Sequence, residues 1–176
     1  MNFKESNYLF EIAKNITPLA SQTYSKSYRY FPLNACPLFL KSGKGQYVWD
    51  VDGNKYCDFI CALGTITLGY VYPEVDSYVM KQMQNGVSFS LPHPIEAEVI
   101  KKIIHHVPSA EMVRFVKNGS DATSAAIRLA RAYTEKEVVA CCGYHGFHDW
   151  YIGCTENNLG VPKTCFLDHL DELVLK

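Results

Sequence analysis

The period of apolar positions changes several times along this chain, and the changes mark its elements. Residues 46–51 alternate, with Tyr47, Trp49 and Val51 on one side. Asp52-Gly53-Asn54 then turns the chain into 55–60, which predicts a β-hairpin. Before it, Ser42-Gly43-Lys44-Gly45 reads as a turn, and after it residues 63–70 read as irregular. Helical spacing begins at Pro73, with Val75, Val79 and Met83 on one face up to Gln84 and Gly86 as the stop. Leu91-Pro92-His93-Pro94 is an extended connector. Ile95, Val99, Ile103 and Val107 predict a second helix over 95–106, ended by Pro108. Residues 1–34 are less regular: 3–16 read as a helix, and the aromatic, basic stretch 24–32 has no regular pattern.

The strongest pattern lies further on. Residues 113–116 are short, apolar and β-branched, as in a buried strand. Asn118-Gly119-Ser120 is turn chemistry, and a helix is predicted from Asp121. Ala122, Ala125, Ala126, Leu129, Ala130 and Tyr133 form one continuous stripe on it, while Ser124, Arg128 and Arg131 lie away from the stripe. Residues 137–142 are a second short strand, closed by Gly143-Tyr144-His145-Gly146. A third strand over 164–167 and a helix starting at 168–176 follow. Strand, helix, strand is a βαβ unit, which implies parallel strands and a right-handed crossover.

Ligands bind at the carboxyl ends of such strands, where the turns at Gly119-Ser120 and Tyr144-His145 both belong. A helix N-terminus presents amides and a positive dipole end to a phosphate. Gly119 has no Cβ to hold one away, and Ser120 adds a hydroxyl. Tyr144 could stack on a flat cofactor ring. The same residues also read as an ordinary βα turn with a capped helix and a core aromatic. The Walker lysine and the spaced glycines of a dinucleotide fingerprint are both missing.

Composition narrows the classes. A net charge of -1 gives no electrostatic case for nucleic acid or an anionic membrane. No apolar run is long enough to span a bilayer, and Met1-Asn2-Phe3-Lys4-Glu5-Ser6 is unlike a signal peptide. The seven cysteines (Cys36, Cys57, Cys61, Cys141, Cys142, Cys154 and Cys165) are odd in number and lack a Cys-x-x-Cys, so they read as reduced, mostly buried thiols of a cytoplasmic protein. His145-x-x-His148-Asp149 has no supporting ligand spacing, and no metal is expected.

Several blocks together resemble the N-terminal part of the class III, fold type I pyridoxal-phosphate aminotransferases, most of all the glutamate-1-semialdehyde aminomutase branch. They are Gly45-Gln46-Tyr47-Val48-Trp49-Asp50-Val51-Asp52-Gly53-Asn54, Leu68-Gly69-Tyr70-Val71-Tyr72-Pro73, Val113-Arg114-Phe115-Val116-Lys117-Asn118-Gly119-Ser120-Asp121-Ala122-Thr123, Arg128-Leu129-Ala130-Arg131-Ala132-Tyr133-Thr134 and Gly143-Tyr144-His145-Gly146. The resemblance implies an α/β fold. Residues 1–62 would be an N-terminal hairpin segment belonging to a small domain, and 63–176 the first part of a mostly parallel cofactor domain with flanking helices. It further implies pyridoxal 5'-phosphate as cofactor, small-molecule amino donors and acceptors, and a homodimer. Gly119, Ser120 and Asp121 would hold the phosphate, Tyr144 would stack on the ring, and His145 would lie beside it. Arg29 falls near the place of an arginine that binds the substrate carboxylate.

Two departures stand out. Many relatives have Gly-His-x-His-Pro where this chain has Gly69-Tyr70-Val71-Tyr72-Pro73. The Schiff-base lysine of the family lies beyond the point matching Lys176, so no catalytic residue is expected here. Amino-group transfer or migration is therefore the expected activity of the full-length protein, and these residues alone are expected to be inactive. The alternative is a non-catalytic remnant that binds a phosphorylated ligand or a partner chain.

Overall fold

The computed structural model describes residues 1–141 and 143–152. The strand and helix expected over 164–176 lie outside the described residues. Contacts divide the chain into two units, Met1–Ser90 and Leu91–Lys176.

The first unit is built on helix α1, Lys4–Ile16, and a three-stranded antiparallel sheet of β1 (Leu40–Lys44), β2 (Tyr47–Asp50) and β3 (Lys55–Cys57), in that order. The predicted hairpin is β2–β3, with Val48 opposite Tyr56 and Trp49 opposite Lys55. The turn expected over 42–45 is instead mostly strand. Lys44 pairs with Tyr47 and Gly43 with Val48, because Gly45 takes φ 56° and closes the chain reversal with only Gln46 beside it. Gly43 lies under the Tyr70 ring, where an added Cβ would come within 2.5 Å of its carbons.

The buried face of β2 is not the one its aromatic alternation suggests. Val48 and Asp50 are buried, while Tyr47 and Trp49 are half-buried, with the Lys55 ammonium 3.7 Å from the Tyr47 ring centroid. Asp50 can be buried because it is fully hydrogen-bonded. It accepts from Asn54 N at 2.8 Å, Asn54 Nδ2 at 2.7 Å and the Tyr56 hydroxyl at 2.8 Å.

The N-terminus of α1 takes its cap from the same hairpin. The Asp52 carboxylate accepts from Glu5 N at 2.8 Å and Ser6 N at 2.9 Å, where Phe3 offers no side-chain cap of its own. Phe10 packs edge-on against Tyr28 and, with Val48, makes up the buried apolar core among the described residues. Residues 61–64 form one left-handed turn, with φ of 51° at Cys61, 50° at Ala62 and 63° at Leu63. Helix α2, Pro73–Met83, follows as expected, although Val75, Val79 and Met83 remain 45 to 61% exposed.

The second unit opens with α3, Pro94–His106. His93 caps it by accepting from Ile95 N, and Glu96 reaches back to His93 N, a capping box. Helix α4 is Gly119–Thr134, and the short α5 is Asp149–Ile152. The strands expected over 113–116 and 137–142 are not formed among the described residues: 113–116 and 137–141 have no ladder partner, and Cys142 lies outside. A central strand exists only through neighbours that bond both its edges, and apolar β-branched residues without them do not make one.

The cysteine expectation also changes. Cys57 is exposed, and Cys36, Cys61 and Cys141 are half-buried rather than buried.

Candidate functional site

Helix α4 begins two residues earlier than expected, at Gly119, with Asn118 as N-cap. Asp121 turns its carboxylate back onto Asn118 N at 3.0 Å, which fixes the entry into the first turn. A carboxylate has no proton to give a phosphate, so Asp121 can serve an anion only through its backbone amide. At Gly119 an added Cβ would meet nothing within 4 Å, so the outer face of the turn is open.

The covered side of α4 is the opposite of the one its apolar pattern suggests. Ala122, Ala125, Ala126, Leu129 and Ala130 are exposed, and Tyr133 is 88% exposed. Ser120 is buried, and Thr123, Ser124, Ile127 and Arg131 are half-buried. These positions fall at i, i+3, i+4, i+7 and i+11, a helical face that begins with three hydroxyls.

Those hydroxyls hold the segment that carries Tyr144. Phe147 N donates to Ser120 Oγ at 3.3 Å, and Thr123 Oγ1 donates to the His145 carbonyl at 2.9 Å. Ser124 Oγ lies 2.8 Å from His148 Nδ1 and accepts from Trp150 Nε1 at 3.0 Å. His148 Nε2 stands 3.6 Å from Asp121 Oδ1. Gly146 is buried against Ser120 with φ 106°, a backbone that glycine adopts freely.

Of the residues singled out from sequence, Gly119, Ser120, Asp121 and His145 therefore belong to one assembly with the turn of Tyr144. Tyr144 itself is 77% exposed and touches Tyr151 edge-on at 5.9 Å, which leaves ring surface open. The His145 ring stacks on Trp150 at 6.4 Å. Arg29 is an exposed residue of the first unit. Thr123, Ser124 and Trp150 are not among the site candidates of the sequence, and His148 enters there only within a metal cluster that is set aside; the 120, 123, 124 spacing of hydroxyls is the signal for this face.

Tyr70 accounts for the departure at Gly69-Tyr70-Val71-Tyr72-Pro73. Its backbone exchanges two 2.9 Å hydrogen bonds with Gly45, and its hydroxyl donates to Asp58 at 2.7 Å. A histidine could not reproduce that ring packed over Gly43 together with the phenolic donor.

The sequence model of aminotransferase class-III matches residues 30–166. The chain belongs to the class-III aminotransferase family. It is 42% identical over 169 residues to the 3-aminobutyryl-CoA aminotransferase of Cloacimonas acidaminovorans, covering 96% of this chain and 40% of that protein. It is 36% identical to the glutamate-1-semialdehyde 2,1-aminomutase of Methanothrix thermoacetophila, over 93% of this chain and 38% of that one. The chain thus spans about two fifths of these curated relatives.

Among solved structures, the β-phenylalanine aminotransferase of Variovorax paradoxus superposes with a TM-score of 0.82 at 26% identity, over 97% of this chain and 39% of that one. The Sphingopyxis FumI protein in its PLP internal aldimine form gives 0.77 at 32% identity, over 82% and 35%. The fold is accordingly part of the fold type I transferase architecture of this class-III family, whose members include structures with pyridoxal phosphate bound. Among the described residues no helix is long and apolar enough to cross a membrane.

Proposed function

We propose that this chain is the phosphate-binding and ring-stacking part of a pyridoxal-phosphate-dependent enzyme that moves an amino group to or within a small carbonyl compound. The observation that carries the reading is the open Gly119 face at the start of a 16-residue helix, with the Tyr144 turn hydrogen-bonded onto that helix's first two turns. Pyridoxal phosphate, when bound, supplies the electron sink that amino-group transfer needs.

The chain's own residues bind and orient. Amides at the start of α4 and the Ser120 hydroxyl accommodate the phosphate, and the open Gly119 surface lets it approach the backbone. Tyr144 offers a ring face to the pyridine, and His145 flanks it. Arg29 is assigned to the substrate carboxylate. The enzyme works on small-molecule amino donors and acceptors, as a cytoplasmic homodimer. Both 3-aminobutyryl-CoA and glutamate-1-semialdehyde, named for the two relatives, are amino or carbonyl compounds of this general kind.

No lysine among these residues is assigned to covalent attachment of the cofactor. The test is equilibrium dialysis of the 176-residue chain against pyridoxal 5'-phosphate, followed by borohydride reduction and peptide mapping. Saturable binding that Gly119→Val weakens, with no stoichiometric adduct on one lysine and no turnover of an amino donor, is the expected result. Equal binding by Gly119→Val would reject the cradle. Turnover with a single modified lysine would reject the assignment of roles.

A further inference from the structure

We propose that Ser124 is a positioning residue: through His148 and Trp150 it locks the Tyr144 turn onto α4, so that the ring platform and the phosphate cradle are assembled before any ligand arrives. The proposal rests on the cofactor reading above and adds to it Ser124, which lies away from the apolar stripe of the helix. Ser124 sits one turn beyond Ser120 and next to Thr123, on the covered face of α4.

Trp150 Nε1–H can only donate, and it donates into Ser124 Oγ at 3.0 Å. Ser124 Oγ also lies 2.8 Å from His148 Nδ1, a hydrogen bond that either atom can donate according to the imidazole tautomer. The other ring nitrogen of His148, Nε2, faces Asp121 Oδ1 at 3.6 Å. The Asp121 carboxylate in turn accepts from Asn118 N, the first amide of the cradle turn. Ser124 therefore joins the far end of the 143–150 segment to the N-cap of α4 through a chain of polar groups.

Ser120 and Thr123 hold only the middle of that segment, at Phe147 N and the His145 carbonyl. Without Ser124, His148 and Trp150 each lose one hydrogen bond to the helix, while His148 keeps its 3.6 Å approach to Asp121. The turn is then held less firmly toward α5, where Trp150 stacks on His145 and the Tyr151 hydroxyl donates to the Gly143 carbonyl at 2.7 Å. Alanine at this position keeps the helix, since its propensity exceeds that of serine, so the loss falls on the turn.

The experiment compares Ser124→Ala with Ser124→Thr in the 176-residue chain carrying Trp49→Phe, which leaves Trp150 as the sole tryptophan. Amide exchange over 143–150 is expected to quicken about tenfold in Ser124→Ala, with α4 amides unchanged and Ser124→Thr close to the parent. Trp150 emission should shift to the red in the alanine variant only. With pyridoxal 5'-phosphate and inorganic phosphate as probes, Ser124→Ala should bind the first about tenfold more weakly and the second within about twofold of the parent. Unchanged exchange over 143–150 in Ser124→Ala overturns the proposal. So does an equal loss for both probes, which would mean that the helix N-terminus itself had been damaged, or a threonine variant as defective as alanine. If the parent binds neither probe, the cofactor reading fails, and exchange and emission still decide what Ser124 does.

Discussion

Gly146 lies directly against Ser120: a Cβ built on Gly146 would overlap Ser120 Oγ and stand 3.0 Å from Ser120 Cβ. The backbone there has φ 106°, so a side chain meets both a steric and a conformational barrier. Gly146→Ala is expected to cost on the order of 1–3 kcal/mol locally. The readout is faster amide exchange through residues 143–150 with α4 protection retained. A variant as protected as the parent would show that the turn can shift without cost.

Gly119 presents the converse case. Nothing stands within 4 Å of an added Cβ, and its φ lies outside the left-handed region. Gly119→Val should leave thermal stability close to that of the parent and reduce affinity for pyridoxal 5'-phosphate, because the isopropyl group occupies the anion's approach. On the proposed function, Ser120→Ala should lose one charge-assisted hydrogen bond to the phosphate, worth on the order of 1–3 kcal/mol of binding, and it also removes the acceptor of Phe147 N. Dialysis beside a melting curve separates the two quantities.

Asp52 caps a helix to which it is not adjacent in sequence. Asp52→Ala should therefore destabilise the first unit by about 1 kcal/mol, the usual worth of such a cap. Exchange at the Glu5 and Ser6 amides reports it. Asp52→Asn, which keeps one acceptor oxygen, should lose less.

The first unit should also respond to pH in two separated windows. Burial raises the Asp50 and Asp58 carboxyls, but hydrogen bonds to Asp50 from Asn54 and Tyr56, and to Asp58 from Tyr70 and backbone amides, outweigh it and leave both below the ordinary carboxylate value. A folded value below the unfolded one gives stability that is present above about pH 4 and lost as pH falls through the folded value. On the alkaline side, burial and the Asp50 bond push Tyr56 up to about 12, and the Asp58 bond and burial push Tyr70 up to about 12. Their contribution is complete below the unfolded value of about 10 and is lost as pH climbs through 12. Denaturant midpoints against pH should show both declines. Tyr56→Phe with Tyr70→Phe should flatten the alkaline one, and an unaltered alkaline limb would assign it elsewhere.

Local rules read correctly where a segment carries its own partners. The β2–β3 hairpin, α1, α2 and α3 follow from turn residues, proline starts and helical spacing, all short-range signals. Residues 113–116 fail as a strand because strand formation depends on neighbours that local composition cannot supply. The apolar face of α4 misleads for a related reason: Leu129 and Tyr133 mark where a helix could bury area, yet its polar side is the one occupied, by a segment more than twenty residues downstream. Tyr70 had no signal beyond an aromatic residue near glycines. Its reason is a contact with Gly43 and Asp58 that only three dimensions bring together. The start of α4 is legible because a glycine turn opening a helix is itself local.

The cap on α1 bears on how this chain is made. Lys4–Ile16 leaves the ribosome well before Asp52, and an isolated helix of 13 residues is marginal in water. Until β2 and the turn after it have emerged, the Glu5 and Ser6 amides have only solvent to bond. Synthesis runs toward the C-terminus, but order in this unit spreads back to α1 from the hairpin. A pause in translation before Asp52 has emerged from the ribosome would hold α1 frayed, and one after Cys57 has emerged would let it close.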